Sequence, residues 1–327
     1  MIDRINDIID QPVMVCGDFI ADIYEYGIIR RMSREAPIPI VEFEREKLVP
    51  GGAGNVVNNI TALQGKAFPI SVVGKDESGS MLLAFLQKSR IQTDGFLCVE
   101  GLFTTTKRRI LAQGEHTVRQ QVLRLDRLPR QALGEKELAE LWDRSCNFLK
   151  QAEAVIISDY HLPVIPLRFL VDLSISAQKA GKKVIIDSRH RVKEFQGVTL
   201  STPNLAEAEE AVERKISNHA ELEEAGKRLL GETGAELVLI TVGDQGMALF
   251  CPNSGMKLIP AHNRLEVFDV SGAGDTVVAA MTLGLLAGME PLEAAKFANI
   301  TAGLVVRKLG TATVSLAEIK EHLGLGL

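Results

Sequence analysis

The chain of 327 residues contains only four cysteines, Cys16, Cys98, Cys146 and Cys251, and they are widely separated. None of the spacings corresponds to the Cys-x-x-Cys pairs that bind zinc or carry out redox chemistry. We therefore expect reduced thiols, as in a cytoplasmic protein, and neither a structural disulfide nor a cysteine-based metal site.

Long apolar runs and an excess of positive charge are also missing. No window of about 18 uninterrupted apolar residues occurs, so we expect no membrane span. The segment Met1-Ile2-Asp3-Arg4 carries an acid early and begins no long apolar run, so we expect no signal peptide. The net charge of -5 argues against a nucleic-acid or membrane partner, although a local basic patch would still suit a small phosphorylated ligand.

The composition is that of a globular protein, with 46% hydrophobic and 24% charged residues. A chain of this length buries a sizeable core, as one large α/β domain or as two domains. Short apolar runs alternate with helix-like segments along most of the sequence, and this order predicts an α/β fold with a mainly parallel sheet.

One stretch carries most of the chemical signal. It reads Phe268-Asp269-Val270-Ser271-Gly272-Ala273-Gly274-Asp275-Thr276-Val277-Val278, and the small, apolar residues 279–287 after it predict a buried helix. Gly272 and Gly274 permit a tight turn, and the first N–H groups of the helix would bind an anion such as a phosphate. Asp275 is out of place in an anion site unless it is a general base for a substrate hydroxyl. A Gly-x-Gly pair alone is more often a simple turn, so the evidence for a ligand site depends on the two acids that flank it, Asp269 and Asp275.

Two other aspartates follow apolar segments that predict buried parallel strands. Asp18 comes after residues 13–17, and Asp187 ends the segment 183–187. Open α/β sheets bind ligands at the carboxyl ends of their strands, so both carboxylates are candidate ligand-binding groups. For Asp18, capping of a loop is an equal alternative from these residues alone.

A glycine run, Pro50-Gly51-Gly52-Ala53-Gly54-Asn55, opens a predicted helix. Glycine lets the backbone approach a polyhydroxyl ligand closely, and the amide of Asn55 offers both a donor and an acceptor. A dinucleotide-binding fingerprint is the alternative. The run lacks the required glycine spacing and does not directly follow a strongly apolar strand.

Two regions predict a small β-lid outside the main sheet. Residues 33–43 alternate and contain two prolines, which is typical of an edge strand. Residues 104–111 and 120–126 flank a polar turn around Gln113-Gly114-Glu115 and predict a hairpin. We place the lid at about 33–45 and 103–126, where it would close on substrate and exclude water.

The motifs together resemble the ribokinase-like (phosphofructokinase-B type) sugar kinases. The late family signature, Asp-x-x-Gly-Ala-Gly-Asp, is matched by Asp269 to Asp275, and the early Gly-Gly-x-x-Asn signature is matched by Gly51 to Asn55. The resemblance extends over essentially the whole chain. It implies one kinase domain over residues 1–327, with a three-layer αβα fold, a mainly parallel central sheet and a small β-lid.

Roles for individual residues follow from the matched motifs. Asp275 is the expected base, and the N–H groups of Gly272, Ala273 and Gly274 are expected to stabilise the transferring charge. We assign substrate binding to Asp18, Gly51, Gly52, Asn55, Lys107, Arg109, Arg124, Asp187 and Arg189. We assign nucleotide binding to Asn204, Glu207, Thr241, Gly243, Gly246 and Asn299. Asp269 and Val270 are expected to hold a monovalent cation such as K⁺, and Glu207 is expected to hold Mg²⁺ through water.

Some of these residues have simpler interpretations. Asn204 and Glu207 fit the N-cap and N3 positions of a helix, and Asn299 fits a plain helix-surface amide. The basic side chains of the lid fit a solvated edge that discourages aggregation, although one or two of them would suit a substrate phosphate.

Within the family, further segments resemble the kinases that phosphorylate C1 of D-glycero-β-D-manno-heptose 7-phosphate. These segments are 34–39, 50–53, 123–126, 158–160, 202–205 and Lys308-Leu309-Gly310-Thr311. Two segments depart from that pattern. His161-Leu162-Pro163 stands where a Lys-Gly is expected, and Asp187-Ser188-Arg189 stands where Asp-Pro-Lys is expected, which replaces an ammonium by a wider guanidinium.

The expected activity is therefore ATP-dependent phosphorylation of a sugar hydroxyl, with ATP and Mg²⁺. The alternatives are a kinase for ribose, fructose or a fructose phosphate, and a non-catalytic sugar or nucleotide sensor on the same fold. Two-function versions carry a nucleotidyltransferase domain after the kinase, and we expect that activity to be absent here. We also expect a homodimer formed through the exposed edge of the lid.

Overall fold

The computed structural model describes residues 1–114, 118–252, 254–262, 269–308 and 310–325. Glu115, Phe268 and Leu309, which belong to the predicted turn and motifs, lie outside the described residues. In chain order the strands are β1 (Pro12–Gly17), β2 (Phe19–Met32), β3 (Pro39–Gly52), β4 (Lys66–Gly74), β5 (Phe96–Val99), β6 (Thr106–Gln113), β7 (Gln120–Arg127), β8 (Ala154–Asp159), β9 (Lys183–Ser188), β10 (Leu200–Ser201), β11 (Leu237–Thr241), β12 (Met247–Cys251) and β13 (Gly255–Ile259).

The α-helices are α1 (Ala53–Ala62), α2 (Glu77–Lys88), α3 (Glu135–Leu149), α4 (Leu167–Lys179), α5 (Leu205–Ala211), α6 (His219–Thr233), α7 (Ala273–Leu286), α8 (Pro291–Val305) and α9 (Leu316–His322). None of them, within the ranges given above, is long and apolar enough to cross a membrane.

The main sheet has the strand order β13-β12-β11-β10-β9-β8-β1-β4-β5. The strands from β11 to β5 in that order pair in parallel, whereas β12 and β13 are antiparallel additions at one edge. Parallel neighbours need helical crossovers, which the alternation of apolar runs and helix-like segments in the sequence supplies.

Both faces of the main sheet are buried, which explains why its strands are continuous apolar runs. In β1, Val13 and Val15 face a core shared with α1, α7 and α8. Met14 and Cys16 face a second core shared with α3, α4 and α6. The predicted three-layer fold is therefore confirmed.

A separate four-stranded sheet, which we call the lid, has the order β3-β2-β6-β7. Strand β3 lies at its edge, and β6 and β7 form the predicted antiparallel hairpin. The lid extends further than the sequence analysis placed it, because β2 follows β1 after the single residue Asp18 and was not recognised as a strand. Residues 33–38 lie outside the strands.

The junction between β1 and β2 depends on Gly17. A Cβ atom at this position would lie 1.9 Å from the carbonyl oxygen of Ser158 on β8, which no real contact permits. Gly17 therefore lets β1 and β8 pair closely at the point where the chain turns from the main sheet into the lid.

We predict that Gly17→Ala destabilises the protein by about 1–3 kcal/mol, because the added methyl group forces β1 and β8 apart. Urea unfolding followed by circular dichroism measures this loss. The control is Gly231→Ala in α6, where a new Cβ meets nothing within 4 Å and alanine favours the helix. Equal stability of the two variants would contradict the prediction.

Candidate active site

A cavity of about 260 Å³ opens at the carboxyl ends of the parallel strands. This is the edge of an open α/β sheet where ligands bind. Its lining consists of Asp159, Tyr160, Asp187, Arg189, Thr202, Asn204, Glu207, Thr241, Val270, Gly272, Gly274 and Asp275. The structure thus brings nine of the predicted site residues together around one space: Asp187, Arg189, Asn204, Glu207, Thr241, Val270, Gly272, Gly274 and Asp275.

Asp275 lies in the first turn of α7, with its side chain 6% exposed. Gly272 is the N-cap of this helix in a left-handed conformation, with φ of 79°. A Cβ atom there would lie 2.3 Å from Nδ2 of Asn55, so only glycine lets α1 pack this closely on the turn. The helix end therefore presents its N–H groups and a carboxylate to the same cavity.

Two side chains hold the carboxylate of Asp275. Asn55 donates from Nδ2 to Oδ2 at 2.7 Å, and the hydroxyl of Tyr160 donates to Oδ1 at 2.9 Å. Burial raises the pKa of Asp275 to about 6, and the two hydrogen bonds limit the rise. A carboxylate with this pKa is ionised at neutral pH and is still basic enough to accept a proton from a hydroxyl.

A buried network fixes the orientation of Asn55. Its Oδ1 and its backbone oxygen accept hydrogen bonds from Nδ2 of Asn59, and Oδ1 of Asn59 accepts one from the hydroxyl of Thr276. With its oxygen engaged, the amide of Asn55 must present its NH₂ group to Asp275. The structure therefore places Asn55 behind the carboxylate, 0% exposed, and not in the wall of the cavity.

Asp187 and Glu207 form an acidic side of the cavity. Burial raises the pKa of both groups, and the neighbouring charges of Asp275 and Glu207 raise that of Asp187 further. Asn204 and Glu207 form the capping box of α5, as the local interpretation predicted, and Glu207 still faces the cavity. Within the described ranges, no group of three or more His, Cys, Asp or Glu side chains is arranged to hold a metal ion.

Asp18 has a structural partner. Its Oδ2 accepts the N–H groups of Tyr160 at 2.8 Å and Leu162 at 3.3 Å, so it holds the loop after β8. Burial and the charge of Asp159 raise its pKa to about 7. Asp18 is 7% exposed and does not line the cavity, which agrees with the loop-capping alternative.

Asp22 was missed by the sequence analysis. It lies on β2, 6% exposed, and forms an ion pair with Arg109 at 2.7 Å. A Cβ atom at Gly51 would come within 2.2 Å of its Oδ2, so the glycine run packs against this carboxylate. The sequence signal for Asp22 was a second acid in Gly17-Asp18-Phe19-Ile20-Ala21-Asp22. It stands an even number of residues after Asp18, so in an extended strand both side chains lie on the same face.

Asp159, Tyr160 and Thr202 also line the cavity without having been predicted as site residues. Asp159 accepts hydrogen bonds from Arg191, from the hydroxyl of Ser188 and from the N–H of His161. Ser158-Asp159-Tyr160 had been noted only as part of a resemblance. Its position directly after an apolar strand was the available signal.

The remaining predicted residues do not line the cavity. Gly243 and Gly246 belong to the turn that follows β11. Asn299 lies on α8, 8% exposed, and donates to the carbonyl oxygen of Pro260 at 2.8 Å, so it is a buried side chain and not a surface amide. Ala273 donates its N–H to the carbonyl oxygen of Val270 at 3.2 Å.

A buried carboxylate at a glycine-rich helix start, facing a cavity at the strand ends, is typical of an enzyme that transfers a group to a substrate hydroxyl. A family model described as pfkB family carbohydrate kinase matches residues 11–318. The chain belongs to the pfkB family of carbohydrate kinases, and it is a phosphotransferase.

Curated relatives cover almost the whole chain. The chain is 40% identical over 312 residues to the bifunctional protein HldE of Desulfatibacillum aliphaticivorans, which covers 95% of this chain and 63% of that protein. It is 36% identical over 310 residues to the bifunctional protein HldE of Helicobacter pylori, covering 94% of this chain and 65% of that protein. The chain thus spans less than two thirds of the length of these relatives.

Solved structures share the fold at lower identity. Phosphofructokinase-2 from Escherichia coli in complex with potassium superposes with a TM-score of 0.76 and 20% identity, over 96% of this chain and 98% of that one. Arabidopsis thaliana ribokinase complexed with ribose and ATP also gives 0.76, at 18% identity, over 97% of this chain and 100% of that one.

We predict that Tyr160→Phe raises the pKa of Asp275, because it removes a hydrogen bond that stabilises the ionised carboxylate. The acid limb of the kcat/KM profile should move upward by about one pH unit, so the loss of activity is largest below pH 7. Kinetics between pH 5 and 9 measure the shift. Tyr26→Phe on the lid is the matched control, and identical acid limbs in the two variants would rule out this role for Tyr160.

Proposed function

We propose that the chain transfers the γ-phosphate of ATP to C1 of D-glycero-β-D-manno-heptose 7-phosphate. The observation that carries the proposal is the carboxylate of Asp275, buried with a pKa of about 6 at the start of α7 and facing the cavity. The heptose assignment rests on the segments that resemble heptose 7-phosphate kinases and on the similarity to HldE proteins along 94–95% of the chain.

In the proposed mechanism, Asp275 takes the proton from the attacking sugar hydroxyl. Asn55 and Tyr160 keep both carboxylate oxygens in place, so the base is oriented before substrate arrives. The N–H groups of Gly272 and Gly274 have no backbone acceptor among the described residues, so at the start of α7 they are available to stabilise the transferring charge. Ala273 contributes through the helix dipole, since its own N–H is engaged by Val270.

The nucleotide lies, in this proposal, along Asn204, Glu207 and Thr241, with the Gly243–Gly246 turn and Asn299 beyond them. Asp187 and Glu207 fit a Mg²⁺ ion, because a cation would offset the burial that raises the pKa of both groups, and carboxylate oxygens suit magnesium. When bound, Mg²⁺ neutralises the charge of the nucleotide phosphates. Since Mg²⁺ takes six oxygen ligands and these two side chains supply only some of them, it would keep several waters, as the predicted water-mediated contact of Glu207 requires.

A monovalent cation would lie beside Asp269 and Val270. Burial alone would raise the pKa of Asp269, but the N–H donors of Ser271 and Gly310 outweigh burial and lower it. An ionised carboxylate held in this way fits K⁺, which would secure the turn before α7. We further propose a cytoplasmic homodimer that pairs through the lid.

A kinase for another sugar phosphate is the second candidate. Of the two departures from the heptose 7-phosphate pattern, Arg189 lines the cavity and His161 directly follows Tyr160, which also lines it, so a change at either position would alter the surroundings of the acceptor. Such an enzyme would keep Asp275 as base and differ only in the acceptor.

The proposal predicts that purified protein with Mg-ATP turns over heptose 7-phosphate, with much lower kcat/KM for fructose 6-phosphate, ribose and fructose. Coupled ADP release measures each acceptor under the same conditions, with an assay lacking acceptor as the blank. Preferred turnover of another sugar would discard the heptose assignment and retain the kinase chemistry.

We also predict opposite effects of Asp275→Asn on activity and stability. Loss of the base should lower kcat by about 10²- to 10⁴-fold. Because the folded pKa is raised from 3.8 to about 6, the ionised carboxylate destabilises the folded protein. This loss of stability develops as the pH rises through that interval. The variant should therefore be more stable than the wild type at pH 8, by about 1–3 kcal/mol, and no more stable at pH 4.

Urea unfolding at the two pH values tests the stability part, and single-turnover phosphorylation tests the activity part. Asp143→Asn, an exposed residue of α3, is the matched control. Near-complete turnover by Asp275→Asn would show that another group is the base.

A further inference from the structure

Two of the six histidines, far apart in the sequence, meet at the last helix of the chain. Nε2 of His262 lies 2.7 Å from Nε2 of His322, and the two rings are almost perpendicular, at 84°, with centroids 4.9 Å apart. His262 lies three residues after β13, and His322 is the last residue of α9. Two separate segments therefore direct the same nitrogen of each ring to one point.

Helix α8 holds His262 in this position. Asn299 on α8 donates to the carbonyl oxygen of Pro260 at 2.8 Å, which anchors the backbone just before the histidine. Gly303, one turn further along α8, leaves space for the ring, because a Cβ atom there would lie 3.0 Å from Cβ and 3.3 Å from Cδ2 of His262. The imidazole thus packs on α8 while its Nε2 reaches α9.

The protonation of the pair suits a metal ligand. Burial and the nearby charge of His322 lower the pKa of His262, so this ring is neutral at neutral pH. In a neutral pair only one of the two facing nitrogens carries a proton, and the other offers a lone pair. If that proton moves to Nδ1 of its own ring, two lone pairs face one point with no proton gained or lost.

The spacing of the rings is that of two imidazoles on one metal ion. Metal–nitrogen bonds of about 2.0–2.1 Å place the two ring centroids about 4.5 Å apart at a right angle and about 5.2 Å apart at the tetrahedral angle. The observed separation of 4.9 Å lies between these values. A small turn of the rings, which widens the Nε2–Nε2 distance from 2.7 Å to about 3 Å, is enough to admit the ion.

We propose that His262 and His322 form a binding site for a divalent d-block cation such as Zn²⁺ or Ni²⁺. Imidazole nitrogen suits these ions, whereas Mg²⁺ prefers oxygen ligands. Glu318, one turn before His322 on α9, is not available as a third ligand, because Lys308 and Ser315 engage its two carboxylate oxygens. Within the described ranges no third His, Cys, Asp or Glu joins the pair, so water completes the coordination.

The site joins the last helix of the chain to the predicted nucleotide region. The backbone of residues 259–261 packs against Gly246, because a Cβ atom there would lie 2.1 Å from a carbonyl oxygen of this segment. Asn299 donates its hydrogen bond to the same segment. An ion bound by the two histidines fastens α9 to a segment that lies between two predicted nucleotide residues. Because the two ligands come together only in the folded chain, the ion also stabilises the folded protein.

Isothermal titration of Zn²⁺ and of Ni²⁺ into the purified protein tests the site. Excess Mg²⁺ in the buffer keeps the carboxylates of the active-site cavity from competing. The wild type should bind one ion, and His262→Gln and His322→Gln should each weaken binding by about 10²-fold or more, because chelation by two linked ligands is lost. In urea unfolding, Zn²⁺ should raise the midpoint of the wild type and leave that of either variant unchanged.

Three further variants identify competing ligands. His219→Gln, at an exposed histidine that begins α6, is the matched control and should bind as the wild type does. Cys98→Ser tests the exposed thiol on β5. His190→Gln tests a second pair of neighbouring rings, those of His161 and His190, whose centroids are 5.5 Å apart.

The outcomes separate the metal site from a simple hydrogen bond between the two rings. Weaker binding in both His262→Gln and His322→Gln, with wild-type affinity in the three other variants, supports the proposal. Full affinity in either of the first two variants would overturn it, as would loss of binding in Cys98→Ser or His190→Gln. A wild type that binds neither Zn²⁺ nor Ni²⁺ would also overturn it and leave the pair as a hydrogen bond alone. None of these measurements depends on turnover or on the identity of the sugar.

Discussion

The site depends on the burial of one carboxylate, Asp275, at the N-terminal end of α7. Removing an ionised group from water is costly, and the hydrogen bonds from Asn55 and Tyr160 offset only part of that cost, as the raised pKa shows. The partners are themselves fixed, since Asn59 and Thr276 determine which way the amide of Asn55 points. Stability is thus given up locally to keep a carboxylate oriented and only weakly solvated.

The rest of the fold brings distant segments to that carboxylate. The ends of β8, β9 and β11, together with α5 and α7, all reach the same edge of the main sheet, because parallel strands align their carboxyl ends. The carboxylates gathered there would repel one another in the protein without a ligand. Their repulsion favours cations and cationic side chains in the cavity, and Arg189 lowers the pKa of Asp187, Glu207 and Asp275.

Much of this arrangement could be predicted from the sequence. The apolar runs predicted the parallel strands, and the signature around Asp275 predicted the part of the cavity wall formed by the start of α7, because these features depend on local residue types. The lid strand β2 could not be predicted in the same way, since no glycine or proline separates it from β1 beyond Gly17 and only tertiary pairing defines it. The contacts of Asn55 and Tyr160 with Asp275 were also inaccessible, because they depend on which atoms a neighbouring helix and loop place beside that carboxylate.

Asp18 is the single residue between β1 and β2, and its carboxylate holds the N–H groups of Tyr160 and Leu162. Asp18 therefore connects three parts of the molecule: the main sheet, the lid and the loop that carries Tyr160. Tyr160, which donates a hydrogen bond to Asp275, is thus anchored at the point where the chain leaves the main sheet for the lid. One side chain therefore ties the start of lid strand β2 to the surroundings of the Asp275 carboxylate.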